Sequence, residues 1–172
     1  MSKLGLAGVR TGIVIAREDI IKSITSANAI LNLTPGSFGP GLTTDMVRDG
    51  SILEISNKFI QPFYKSRAEV AINWLESELA DVPFRAHTPE GAIFLWLWLK
   101  DLPITSEMLY QRLKARGVLV IPGEHFFPGL TEPWSHRHEC IRVSYAQDQQ
   151  TIERGIAIIA EEIRAAYNNA LT

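Results

Sequence analysis

The longest apolar run in the chain is Gly-Ala-Ile-Phe-Leu-Trp-Leu-Trp-Leu, residues 91–99. A membrane span needs about 20 apolar residues, so this run is too short for one. The alternative is a strand buried by what packs on it. FRAHT, just upstream, reads as a partner strand, with the Pro-Glu-Gly turn between the two. SEMLYQRLKARG then reads as a helix ended by Gly117, VLVI as a strand, residues 122–139 as a Pro- and Gly-bearing loop, and CIRVSYA as a strand. From Asp148 a last helix places Ile152, Ile156, Ile159, Ile163 and Tyr167 on one face. This order predicts an antiparallel sheet covered by helices, a small α+β domain over residues 81–172.

The first fifty residues have another character. TGIVIA, residues 11–16, is short and β-branched and reads as a buried strand. Residues 17–33 read as a helix with Ile20, Ile21, Ile24 and Ala27 on one face, and TPGSFGPG at 34–41 as a break in regular structure. A short helix is expected through Met46 and Val47. From Ser51 to about Leu79 a long amphipathic helix is expected, opened by a Ser51–Glu54 capping box and kinked at Pro62. One lone strand needs neighbours, and the first fifty residues offer none.

Charge narrows the partners. The net charge is −2, with no basic run, which argues against a nucleic-acid partner held by charge. The single cysteine, Cys140, allows no internal disulfide. With no charged leader ahead of an apolar core, a cytoplasmic protein with no membrane segment is the expectation. His136, His138 and Cys140 in HRHEC would share one face of a strand. A structural zinc site wants four ligands and no fourth is evident, so no metal is expected. His125 and Glu90 are candidates for the edge of a site, each with an equally good reading as a structural or turn residue.

The opening string SKLGLAGVRTG carries more chemistry. Glycines let a ligand approach the backbone, and a desolvated lysine becomes a nucleophile that condenses with aldehydes. An arginine seven residues on suits a phosphate, which it grips with parallel hydrogen bonds. An aldehyde joined to a phosphate describes pyridoxal 5′-phosphate.

SKLGLAGVRTGIVIA resembles the lysine segment of the fold-type I pyridoxal-phosphate aminotransferases, with its Ser-Lys followed by Gly-x-Arg-x-Gly. PEGAIFLWLWLKDLPIT, LYQRLKARGVLVIPGEHFFPGL and CIRVSYA extend the resemblance over essentially the whole chain. It implies that Lys3 carries the cofactor and moves the substrate proton, and that Ser2 and Arg10 bind the cofactor phosphate. It implies that Arg142, on the strand after the Pro-Gly-x-x-Phe segment, binds the substrate α-carboxylate. The implied substrates are an aliphatic amino acid and a 2-oxo acid, with valine and pyruvate the expected pair. The implied fold is α/β, the C-terminal part of a type I PLP-dependent transferase. In it residues 1–50 end the large cofactor domain with one residual strand and helices, 51–80 form the interdomain helix, and 81–172 form the small domain. A homodimer is the implied assembly. A chain of this content is expected to be inactive alone, because the carboxylate that faces the pyridine nitrogen lies upstream in that family. Two other readings stand beside it: the cofactor-domain part of a transcription regulator, and a non-catalytic fragment.

Overall fold

The computed structural model describes residue 1 and residues 4–32 and 36–169. They divide into two compact units, Met1–Pro62 and Phe63–Thr172.

In the first unit a 3-10 turn, Ala7–Val9, precedes α1 (Glu18–Asn32), α2 (Phe38–Arg48) and α3 (Ser51–Ile55). Glu18 and Asp19 in the first turn of α1 face the positive end of the helix dipole. α1 buries none of its residues, and Ile20, Ile24, Ile30 and Leu31 are exposed. Residues 11–16 do not form the expected strand: they take no regular structure, and Ile13, Val14 and Ile15 are exposed. A strand exists through its ladder partners, and the described sheet contains only four other strands, all downstream. The expected break at 34–41 is shorter than predicted, because α2 begins at Phe38 and takes in Pro40 and Gly41. Proline is tolerated there, since the amides of a first helical turn have no intrahelical acceptor.

The Ser51–Glu54 capping box does not form. Gly50, with φ 79°, occupies the cap, and the Asp49 carboxylate accepts the Ser51 N–H at 2.9 Å. That bond holds the Asp49 carboxyl below its ordinary range. Where Pro62 signals a kink, the structure shows a π-helical stretch, Ser56–Ile60, just before it. There the Gln61 N–H reaches back five residues to the Ser56 carbonyl. The wider turn accommodates a residue that has no N–H to give and a ring that crowds the preceding turn.

The second unit is a helix-covered antiparallel sheet, as expected. α4 (Gln61–Glu78) leads to β1 (Phe84–Ala86) and β2 (Phe94–Leu99), then α5 (Ser106–Ala115), β3 (Ile121–Pro122), β4 (Cys140–Ser144) and α6 (Gln149–Asn168). The strand order is β1-β2-β4-β3, antiparallel throughout. The apolar run thus lies in the middle, with Leu97 opposite Ala86 on one side and Ile141 on the other. Leu95, Leu97 and Leu99 are buried in one core with Ile141 and Val143, Ala71 and Leu75 of α4, Leu109 and Leu113 of α5, and Ile152, Ile156, Ile159 and Ile163 of α6. Both ends of β2 are pinned: the Tyr145 hydroxyl donates to the Ala92 carbonyl at 3.0 Å and the Tyr167 hydroxyl to the Lys100 carbonyl at 2.7 Å.

Thr105 and Asp148 cap α5 and α6 by accepting the N–H groups of Met108 and Thr151. β3 is shorter than the expected VLVI strand and shifted to Ile121–Pro122. The reason lies in the preceding helix end. With Gly117 at φ 79°, the Val118 N–H is taken by the Leu113 carbonyl at 2.9 Å, so the first part of VLVI closes α5 instead of joining a ladder.

Candidate active site

Strand periodicity puts Phe94, Trp96 and Trp98 of β2 and Cys140, Arg142 and Ser144 of β4 on the face of the sheet turned away from the buried leucines. Arg142 stands directly across from Trp96 on one side and Ile121 on the other. Its guanidinium carbon lies 4.1 Å from the centre of the Phe94 ring and 4.9 Å from that of Phe126. Among the described residues it makes no ion pair and no hydrogen bond. A structural ion pair, the ordinary explanation for an arginine on a strand, is therefore not what holds it. Its planar fork of donors is left for a planar acceptor such as a carboxylate.

Phe126 ends a 3-10 turn, Gly123–Phe126, fastened at three places. Gly123 sits so close to β4 that an added Cβ would lie 2.7 Å from the Cys140 Cβ and 2.8 Å from the Cys140 carbonyl oxygen. Glu124 meets His138 Nδ1 at 2.7 Å. Phe126 itself meets Trp96 edge to face, with ring centres 5.0 Å apart. Further along the loop Phe127 packs on Trp134, and Trp134 stacks on His136 at 4.7 Å. The loop is thus stitched to the sheet by aromatic edges.

The HRHEC residues do not share a strand face. His136 and His138 belong to a second 3-10 turn, Ser135–His138, and only Cys140 is in β4. His138 is occupied by Glu124, and His136 Nε2 lies 3.4 Å from Cys140 Sγ. Among the described residues no group of three His, Cys, Asp or Glu could hold a metal ion. Burial, helped by the negative charge of Glu139, raises the Cys140 thiol from 9.0 to about 11. At pH 8 the folded thiol is then ionised about a hundredfold less than an ordinary one. Alkylation of the native chain at pH 8 is therefore expected to be at least about a hundredfold slower than in denaturant, rising with pH toward 11. Equal rates, followed by mass spectrometry, would contradict the burial described. His125 and Glu90 are both exposed.

Of the residues named for the cofactor, Ser2 and Lys3 lie outside the described residues. Arg10 follows the 3-10 turn in the left-handed region, φ 48°, and its N–H bonds the Ala7 carbonyl. The loop around it is compact: the Thr11 hydroxyl donates to the Val9 carbonyl at 2.9 Å. Gly39 of α2 abuts Val9 and Thr11 so closely that no side chain would fit. The Arg10 side chain is exposed and has no acceptor among the described residues. An unspent fork on a braced, glycine-bearing loop fits a phosphate group.

Sequence comparison places the chain among the transferases. The family model described as aminotransferase class I and II matches residues 1–159, and the chain belongs to that family. The valine–pyruvate aminotransferase of Escherichia coli K12 is 50% identical over 97% of this chain and 40% of its own length. Among solved structures, the valine–pyruvate aminotransferase of Salmonella typhimurium LT2 superposes with a TM-score of 0.86 at 49% identity, covering 98% of this chain and 43% of that one. A candidate amino-acid aminotransferase from Psychrobacter arcticum 273-4 gives 0.88 at 47%, covering 98% and 39%. The chain spans about two fifths of the length of these relatives. The fold is that expected of a C-terminal portion of a type I aminotransferase, except that residues 11–16 form no strand. No helix among the described residues is long and apolar enough to cross a membrane.

Proposed function

We propose that a full-length protein carrying this sequence is a pyridoxal-phosphate-dependent aminotransferase that converts valine and pyruvate to 3-methyl-2-oxobutanoate and alanine. The observation that carries the reading is Arg142: a guanidinium on a central strand, backed by two phenyl rings and lacking any anionic partner among the described residues. The named activity of the Escherichia coli and Salmonella relatives supports the choice of substrates.

Each residue has a role in this reading. Arg142 binds the α-carboxylate of the amino acid or 2-oxo acid in two parallel hydrogen bonds and so orients Cα. Arg10 and Ser2 hold the cofactor phosphate. Lys3 Nζ would hold the cofactor between turnovers and, when freed, would accept the proton from substrate Cα. The bound cofactor supplies an aldehyde for the amino group and an electron sink for the charge left at Cα. Of the apolar run 91–96, Phe94 and Trp96, on the Arg142 face, would meet an aliphatic side chain, while Leu95 belongs to the core. Residues 1–50 would belong to the cofactor domain, 51–80 to an interdomain helix and 81–172 to the small domain, in a cytoplasmic homodimer. The 172-residue chain alone is expected to turn over no valine.

Borohydride trapping tests the assignment. The full-length protein is mixed with pyridoxal 5′-phosphate and reduced, and the modified peptide is mapped by mass. Label is expected on Lys3, absent in Lys3→Ala and strongly reduced in Arg10→Ala. Label spread over lysines such as Lys22, Lys58 and Lys65 in proportion to their exposure would remove Lys3 from the site.

A further inference from the structure

We infer that Phe126 is a positioning residue: its ring, stacked on the Arg142 guanidinium alongside Phe94, fixes the fork that receives a substrate carboxylate. The inference rests on the carboxylate role proposed for Arg142. An arginine side chain has many rotamers, and holding one costs entropy at the moment of binding. A ring face attracts the guanidinium through its quadrupole and leaves the in-plane N–H donors unused. Arg142 lies against two such rings.

The two rings are placed differently. Phe94 comes from β2, one register step from Trp96, the direct partner of Arg142, so the sheet itself sets its position. Phe126 comes from a loop and must be brought there. Three separate features bring it: the close approach of Gly123 to β4, the Glu124–His138 contact and the Trp96 edge. Yet the ring so carefully held is 38% exposed and stands outside the buried core. Burial of the remainder stabilises the ring but is non-directional and does not select this one placement. Its fixed place is explained by the cation it backs.

Side-chain NMR of the full-length protein, with its arginines selectively labelled, separates this from a packing role. The Arg142 Hδ and Hε resonances are expected upfield, shifted by the ring currents. Phe126→Leu moves them downfield, and Phe126→Tyr keeps them where they are. Titration with sodium 3-methyl-2-oxobutanoate is expected to move Arg142 Hε in the wild-type chain, with binding weakened about fivefold in Phe126→Leu and restored in Phe126→Tyr. Arg142 resonances or affinities unchanged by Phe126→Leu would overturn the inference. Ring-current shifts that shrink in Phe126→Leu, beside no response of wild-type Arg142 to the 2-oxo acid, would leave the stack standing. They would overturn the carboxylate reading of Arg142, and the positioning role with it.

Discussion

Gly123→Ala is expected to destabilise the second unit by about 2–3 kcal/mol, read as a lower urea midpoint at unchanged slope. The added methyl would meet the Cys140 Cβ at 2.7 Å, the Cys140 carbonyl oxygen at 2.8 Å and the Arg137 carbonyl oxygen at 2.9 Å. Two of these are backbone atoms, at the start of β4 and in the adjoining 3-10 turn. Neither can yield without moving the strand that carries Arg142 or the loop that carries Phe126. Two other glycines isolate the cause. Gly117 has open space where a Cβ would go but sits at φ 79°, so Gly117→Ala costs only the left-handed backbone, about 1 kcal/mol. Gly155 lies inside α6 with open space and no positive φ, so Gly155→Ala is expected to stabilise by about 0.5–1 kcal/mol. A Gly123→Ala chain as stable as wild type would mean that the turn does not press on β4 as described.

How far the sequence alone reaches depends on where each segment finds its partners. In the second unit the partners are near in sequence. The isoleucine stripe of α6 and the apolar run of β2 each state their structure locally, and each forms as read. The exceptions arise where two local signals compete. Val118 is β-branched and reads as strand, yet its N–H is claimed by the helix end that Gly117 sets up. Ser51 reads as a cap, but Gly50 and Asp49 reach the helix start first. Residues 11–16 fail for a different reason: β-propensity describes a surface that fits a sheet, and it makes no sheet by itself.

The site divides in the same way. The resemblance names Arg142 through the Pro-Gly-x-x-Phe segment and the Arg-bearing strand after it, and its role in carboxylate binding is a proposal. What surrounds Arg142 was not legible. Phe94 and Phe126 are 32 positions apart and meet only through the β2–β4 register and the loop's return to the sheet. The signal was nonetheless present, in the aromatic residues at every second position of FLWLW and in the phenylalanine of the Pro-Gly-x-x-Phe segment itself.

Arg142→Leu is expected to lower kcat/KM for valine by about a hundredfold in the full-length protein, with the 172-residue fold retained by circular dichroism. Two charge-assisted hydrogen bonds to a carboxylate are lost, each of order 1.5–3 kcal/mol, partly offset because the freed carboxylate keeps water. The half-buried Arg142 has no other partner among the described residues, so its removal strands no charge, and the leucine keeps the apolar contact with Phe94 and Phe126. That separates loss of binding from loss of fold. Arg142→Lys is expected to recover only part of the activity, since an ammonium gives a point charge where the carboxylate meets a planar fork. The decisive comparison uses the substrate. 2-Methylpropylamine is valine without its carboxylate, and its slow reaction should be equal in wild type and Arg142→Leu. A matched loss for both amines would place the effect of Arg142 elsewhere than at the carboxylate. A loss confined to valine would locate it there, because only an interaction between two groups disappears when either one is deleted.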